Sequence, residues 1–274
     1  MDRQTGGEAE GPGREALHDL AACLRFYSRL PVPQLPGEPD PHRSPDFTRL
    51  PRMLPLAGAL LSLPAALILV SGFGAGLGPF LSATLAVAVM ATTTGGLHED
   101  GLSDFADGLG GGSDRAKMLA IMRDSRIGSY GALALFLALA LRVGALATLL
   151  DRTGLAAATA LVFAAAVSRV AALLPMVLLP PARSDGLSAA VGRPGRAALV
   201  TAAVTVLFLA ALALPLGLSA AGLIAMAVLA GLAALAVTGL AARRLGGQTG
   251  DVIGACQQAA EILALLGLVS AVAP

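Results

Sequence analysis

Five stretches of this chain, residues 53–97, 127–150, 153–182, 197–242 and 252–274, hold only three charged residues between them, Arg142, Arg169 and Glu261, although the whole sequence carries 19 Lys and Arg and 18 Asp and Glu. A helix at the surface of a water-soluble core keeps a polar face, and no such face exists in the unbroken apolar run from Met53 to Leu97. The solvent that tolerates such runs is lipid, where each helical span needs about 20 apolar residues. Composition agrees, with 55% hydrophobic and 14% charged residues against about 25% charged in soluble domains. A net charge of +1 and 4% aromatic residues exclude a broad basic, base-stacking surface, so nucleic acid is not an expected partner. Cys23 and Cys256 lie far apart without a CxxC pair and are read as packing residues. The first 13 residues, MDRQTGGEAEGPG, lack the apolar core of a signal peptide, and the chain is expected to insert by its own spans.

The Met53–Leu97 run is too long for one helix and breaks at the glycine-rich Ser71–Pro79 segment, as the 197–242 run breaks at Pro215–Ser219. The expected architecture is all-α, a polytopic transmembrane bundle of about seven spans near 53–71, 79–97, 127–150, 154–180, 197–214, 220–241 and 252–273. Lys and Arg concentrate in segments 1–52, 98–126, 181–196 and 242–251 and are nearly absent from the opposite connections at 71–79, 151–153 and 215–219. Short basic loops stay cytoplasmic, so these four segments, and the N-terminus with them, are expected on the cytoplasmic side and the C-terminus outside. Two parts result: a cytoplasmic segment 1–52 and a transmembrane catalytic domain 53–274 with an acidic cytoplasmic loop at 95–131. Within the first, residues 14–30 place Leu17, Leu20, Ala21, Leu24 and Tyr27 at helical spacing before Pro31, which predicts an amphipathic helix either on the membrane surface or packed beneath the bundle.

Four acids, Glu99, Asp100, Asp104 and Asp107, fall within nine residues of that loop. Continued as a helix from the second span, Asp100, Asp104 and Asp107 lie within about 60° of one face, with Glu99 at its edge. Like charges at this spacing cost a few tenths of a kcal/mol per pair and more near lipid. A bound cation offsets that repulsion, and hard oxygen ligands favour Mg²⁺, Mn²⁺ or Ca²⁺ over zinc. A solvated acidic loop is the alternative. Glycines at 95, 96, 101, 108 and 110–112 are expected to let a phosphate-bearing ligand approach the backbone, and Ser113 is expected to cap a helix over Asp114–Arg123 whose amides face an anion. Arg115, Lys117, Arg123 and Arg126 supply cations for phosphate. Carboxylates for metal, glycines for access and cations for phosphate are what phosphoryl transfer requires.

Weaker signals share the same side. Asp251 opens the last span between glycines and reads as either an N-cap or a site acid. Arg183, Ser184, Asp185, Arg193 and Arg196 form a basic loop that is either topological or substrate-facing. Inside the membrane, Arg169 and Glu261 lie at similar depth and are expected to pair across helices, since lone charges there are costly.

The chain resembles the adenosylcobinamide-GDP ribazoletransferases, the cobalamin synthases, over nearly its whole length. Four blocks carry the likeness: Phe26-Tyr27-Ser28-Arg29-Leu30-Pro31-Val32-Pro33, Gly96-Leu97-His98-Glu99-Asp100-Gly101-Leu102-Ser103-Asp104 through Gly112, Ile121-Met122-Arg123-Asp124-Ser125-Arg126-Ile127-Gly128-Ser129-Tyr130-Gly131, and Gly246-Gly247-Gln248-Thr249-Gly250-Asp251-Val252-Ile253-Gly254-Ala255. Ser103 and Arg123 depart conservatively from the residues common in that family. The resemblance implies a Mg²⁺-dependent enzyme of the cell inner membrane that joins adenosylcobinamide-GDP to α-ribazole or its 5′-phosphate and releases GMP. On that reading Glu99, Asp100, Asp104 and Asp107 hold the metal, Asp104, Asp107, Asp124 and Arg126 are catalytic, and His98, Lys117, Arg115, Arg29 and Asp251 bind substrate. Asp107 or Asp124 is expected to take the hydroxyl proton. A CDP-alcohol phosphotransferase is the nearest alternative, but its DGxxAR spacing is missing, because Asp100-Gly101 is followed by Ser103-Asp104. A secondary transporter would place its acids at the midplane instead of massing them in one loop.

Overall fold

In a computed structural model of the chain, residues 11–38, 40, 45–184 and 192–272 are described. They form helices α1 (Pro12–Tyr27), α2 (Leu54–Gly74), α3 (Gly78–Thr94), α4 (Leu97–Gly111), α5 (Arg115–Ile121), α6 (Ser129–Thr153), α7 (Ala156–Ala171), α8 (Leu174–Leu178), α9 (Arg196–Ala213), α10 (Ala220–Leu245) and α11 (Gly250–Ala271), with a 3-10 turn at Leu50–Met53. Six units are long and apolar enough to cross a membrane: Leu50–Gly74, Ser129–Thr153, Ala156–Leu178, Arg196–Ala213, Ala220–Leu245 and Gly250–Ala271. A seventh arises if α3 and α4, bent by 90° at their junction, count as one unit. The chain is a multi-pass helical membrane protein.

The expected breaks are present. α2 ends at Gly74 and α3 begins at Gly78, and the Pro215 segment separates α9 from α10. The second span differs from expectation: α3 has 17 residues and stops at Gly95, the short limit for a span. Gly95 and Gly96 both adopt positive φ, 66° and 69°, a backbone region that residues with a Cβ avoid. Two consecutive left-handed residues close α3 and turn the chain into α4, so the acidic helix is a new element beyond the bend and outside the six spans.

The interior of the bundle is built from small residues. Ala83, Ala86, Ala145, Ala157, Ala160, Ala164, Ala230 and Ala260 are buried with Leu69, Leu146, Leu149 and Leu265. Small side chains let backbones approach where no hydrophobic force separates helix from lipid. α4 joins α11 on this principle: a Cβ at Gly101 would lie 3.2 Å from the Cα atoms of Asp251 and Gly254. Gly101→Val is therefore expected to force α4 off α11 and lower thermal stability in detergent by about 1–3 kcal/mol, with loss of activity, while Gly144→Val, where nothing lies within 4 Å, changes neither.

The four basic segments meet at one end of the bundle. The Arg29 N–H donates to the Thr93 carbonyl (2.8 Å), Gly195 to Thr48 (3.0 Å), Ala182 to Gln248 and Gln248 to Pro180 (2.8 Å each). At the other end, Arg152 reaches the carbonyls of Val269 and Val272 at the close of α11. The segments that charge grouped together thus share a face. α1 packs beneath this face: Ala21 is buried, as are Cys23 and Tyr27 against Phe47, Leu50, Leu54 and Met176, while Leu17 stays exposed. Both cysteines are free and buried, as expected.

Candidate active site

The segment expected as an acidic loop is mostly helix, and it does not gather its four acids into one cage. Asp100 and Asp104, one turn apart on α4, line an open cleft of about 530 Å³ together with Arg29, Ser103 and Ser125. Arg29 is held there because its side chain lies against Gly95, where a Cβ would collide with the guanidinium stem. The Asp104 carboxyl is pushed up to about 6, first by burial and then by the charges of Asp100, Asp251 and Asp107, with Arg183 opposing. The cleft wall is therefore short of positive charge at Asp104.

The other two acids face elsewhere. Glu99 pairs with Arg142 (2.7 Å) and accepts from Gln258 (3.2 Å). Asp107 is buried and accepts the N–H groups of Gly128 (2.7 Å) and Gly131 (2.8 Å). It thereby fastens α4 to the first turn of α6, and any side chain at 128 or 131 would strike that carboxylate. Among the described residues, no three His, Cys, Asp or Glu side chains converge to hold a metal by themselves. Mg²⁺ is commonly held by one or two carboxylates with phosphates and water completing the shell. Asp100 and Asp104 fit that mode; Glu99 and Asp107, spent on Arg142 and on backbone amides, do not.

The glycines serve packing more than access. Gly108 and Gly112 receive Met122 and Met118, and Gly110 receives the Tyr130 ring. Gly96 alone of the expected set lines the cleft with nothing within 4 Å of its Cβ position. The cap of α5 is Asp114, not Ser113: its side chain accepts from Lys117 N–H (3.0 Å), so this seven-residue helix already has a carboxylate at the end that was expected to meet an anion. Lys117 is exposed on α5, and Arg115 donates to the Ala182 carbonyl (3.0 Å), tying α5 to the 180–182 segment. Asp124 and Arg126 pair at 2.5 Å beside a second cleft of about 460 Å³ that also touches Asp107 and Tyr130. That pairing holds Asp124 down to about 2, which makes it a poor proton acceptor at neutral pH.

Asp251 is not the N-cap of α11, a role taken by Thr249, which accepts from Val252 N–H. It sits one turn from Gly254 and shares with Asp100 and Gly101 a cavity of about 160 Å³ walled by Phe26, Tyr27, Phe47, His98, Met176 and Ile253. His98 is buried and stacks on Tyr27, with centroids 5.7 Å apart and ring planes 13° apart. It forms a wall instead of a free ligand. Arg183, from the basic loop, donates to Leu119 O (2.9 Å) and lies 4.0 Å from Asp251. Arg193 and Arg196 are exposed and line none of these cavities; Asp185 lies outside the described residues.

Behind α4 is a buried polar network that corrects the expected Arg169–Glu261 pair. Glu261 pairs with Arg142 (2.9 Å), not Arg169, and accepts from Gln257 (2.6 Å), which also donates to Ser168 (3.0 Å). Arg142 is 1% exposed and stands between α4 and α11. Arg169 instead donates to Ala165 O of its own helix (2.9 Å). Depth along a span follows from residue number, but the direction a side chain faces depends on which helices are neighbours.

The comparisons with known proteins fit this arrangement. The model of the cobalamin-5-phosphate synthase family matches residues 19–269. An adenosylcobinamide-GDP ribazoletransferase of Azorhizobium caulinodans is 49% identical over 253 residues, covering 92% of this chain and 95% of that protein. Proteins of the same description from Xanthobacter autotrophicus and Mesorhizobium japonicum are 50% and 46% identical over 255 residues each, covering 91% and 92% of this chain and 95% and 93% of theirs. No solved structure matches. Likeness of this extent, from the second half of α1 through most of α11, decides the matter: the chain belongs to the cobalamin-5-phosphate synthase family.

Proposed function

We propose that this chain joins adenosylcobinamide-GDP to α-ribazole, or to its 5′-phosphate, with release of GMP, at the basic end of a bundle in the cell inner membrane. The observation that carries the reading is the placement of Asp100 on the wall of two cavities at once, a larger polar cleft with Asp104 and Arg29 and a smaller aromatic one with Asp251. Two compartments sharing a wall can hold two substrates with their reacting groups side by side. A transporter is disfavoured because the buried Arg142 is paired on both sides, by Glu99 and Glu261.

Asp100 and Asp104 would hold Mg²⁺, which when bound neutralises the charge of the bridging phosphates. Arg29 on the cleft wall covers further phosphate charge, and Arg183 beside Asp251 adds to it; they take the part expected of Lys117 and Arg126. A ribose hydroxyl attacks the phosphorus attached to cobinamide, the bond from that phosphorus to the bridging oxygen breaks, and GMP leaves with the electron pair. The hydroxyl proton passes to Asp251, since Asp107 is committed to backbone amides and Asp124 to Arg126.

The test is GMP release by the purified chain in detergent, with adenosylcobinamide-GDP, α-ribazole and Mg²⁺. Absence of GMP would overturn the reading, and release of CMP from a CDP-alcohol would favour the other phosphotransferase class. The orientation is checked separately. A reporter fused after Gly112 is expected to behave as cytoplasmic and one after Pro274 as external, and the reverse pattern inverts the bundle.

A further inference from the structure

Phe26, Tyr27 and Phe47 form an aromatic corner, with T-shaped contacts of 4.7 and 5.6 Å between ring centroids, and with Met176 and Ile253 they wall the 160 Å³ cavity beside Asp100 and Asp251. A dry cavity of about 150 Å³ is enough to admit a benzene-sized ring. Beneath lies a recess of about 10 Å³ lined by Tyr27, His98, Ile253 and Arg169. Arg169 is 2% exposed, and its Nε and Nη2 have no hydrogen-bond partner among the described residues. Buried guanidinium donors are rarely left unmet, so these two call for a partner, and they lie at the edge of the cavity.

Resting on the proposed reaction, we infer that this cavity is the acceptor subsite and that it takes the fused aromatic base of α-ribazole. The base enters edge-first between Phe26, Phe47 and Met176, an apolar and polarizable lining suited to a planar ring. The free ring nitrogen, an acceptor, faces the Arg169 donors across the recess, which has room for about one water. The ribose then lies at the mouth, where Asp251 and Asp100 are the polar groups present, with its hydroxyl toward the phosphate cleft on the other side of Asp100. Guanine would present several polar edge groups to a lining with few partners for them, a costly burial.

Two substitutions in the cavity lining test this in the full chain, reconstituted in nanodiscs and assayed for GMP release while each substrate is varied in turn. Phe26→Ala is expected to raise KM for α-ribazole about tenfold or more, with KM for adenosylcobinamide-GDP within about twofold. Ile253→Phe narrows the cavity. It is expected to raise KM about tenfold for the dimethylated base of α-ribazole and less than about threefold for the riboside of unsubstituted benzimidazole, the scale on which methyl groups are discriminated in apolar pockets. A general folding defect would not shift the preference between two acceptors. Independently of either variant, a photoreactive azido-benzimidazole riboside is expected to label wild-type peptides carrying Tyr27, Phe47 or Met176. Equal rises in both KM values, a rise confined to adenosylcobinamide-GDP, or labelling confined to residues 103–135 would overturn the subsite. A wild-type chain that releases no GMP would instead overturn the reaction itself.

Discussion

Asp104→Asn is expected to leave membrane insertion and folded yield near normal while lowering GMP release by about 100-fold or more. Asn keeps the shape of the side chain and removes only its charge. A metal ion contributes several kcal/mol of charge stabilisation in the transition state, and each 1.4 kcal/mol is about tenfold in rate. Added Mg²⁺ should rescue the variant only in part. A second readout separates a metal role from a structural one. The Asp104 carboxyl stands near 6 in the folded chain against 3.8 for the free group. An acid raised on folding disfavours its own ionised form, so the metal-free protein is expected to lose stability as pH rises from about 4 through 6 and to change no further above it. Asp104→Asn removes that loss, so without Mg²⁺ the variant should melt at or above the wild-type temperature at pH 8, and Mg²⁺ should stabilise the wild type more. Asp114→Asn, at the exposed cap of α5, should lose less than about tenfold in rate. Wild-type turnover by Asp104→Asn at limiting Mg²⁺ would return the acidic helix to a solvated role.

What was legible in the sequence and what was not divide along a physical line. Charge-free runs mark lipid contact directly, because burial of an unpaired charge in a bilayer is costly whatever the fold, and the spans follow. The four basic segments were grouped by charge, and hydrogen bonds such as Gly195 to Thr48 place them on one face. The 90° bend at Gly95-Gly96 was signalled by its glycines but not by any periodicity, since a pair of left-handed residues redirects a chain without changing the pattern on either side. The acids were found as a group, yet their separate duties depend on neighbours far away in sequence: Glu99 on Arg142, Asp107 on Gly128 and Gly131, Asp251 on Gly101. The glycines of the α4 segment were misjudged for the same reason, as what a missing Cβ makes room for lies on another helix. Gln257 and Gln258 are uncharged and leave the charge-poor run unbroken, although polar amides inside an apolar run are themselves a signal of interhelical hydrogen bonding.

The largest stability effect is expected at Arg142. Its guanidinium meets Glu99 of α4 and Glu261 of α11 at 2.7 and 2.9 Å, so Arg142→Leu leaves two carboxylates without their cation, Glu261 fully buried and Glu99 nearly so. Breaking a buried pair from one side costs about 3–5 kcal/mol, a large part of the stability margin of a typical domain, and folded yield from membranes should fall severalfold or vanish. The loss should also reach activity in whatever fraction folds, because Glu99 precedes Asp100 on α4 and its release frees the helix that presents the cleft. Glu261→Gln removes one of the two stranded charges, so Arg142→Leu with Glu261→Gln should be more stable than Arg142→Leu alone. Arg169 bonds to its own helix instead, so the coupling between Arg169→Gln and Glu261→Gln should be weaker than that between Arg142→Leu and Glu261→Gln. Thermal unfolding of the single and double variants in one detergent decides between the partners: coupling between 169 and 261 with none between 142 and 261 would reassign the buried pair.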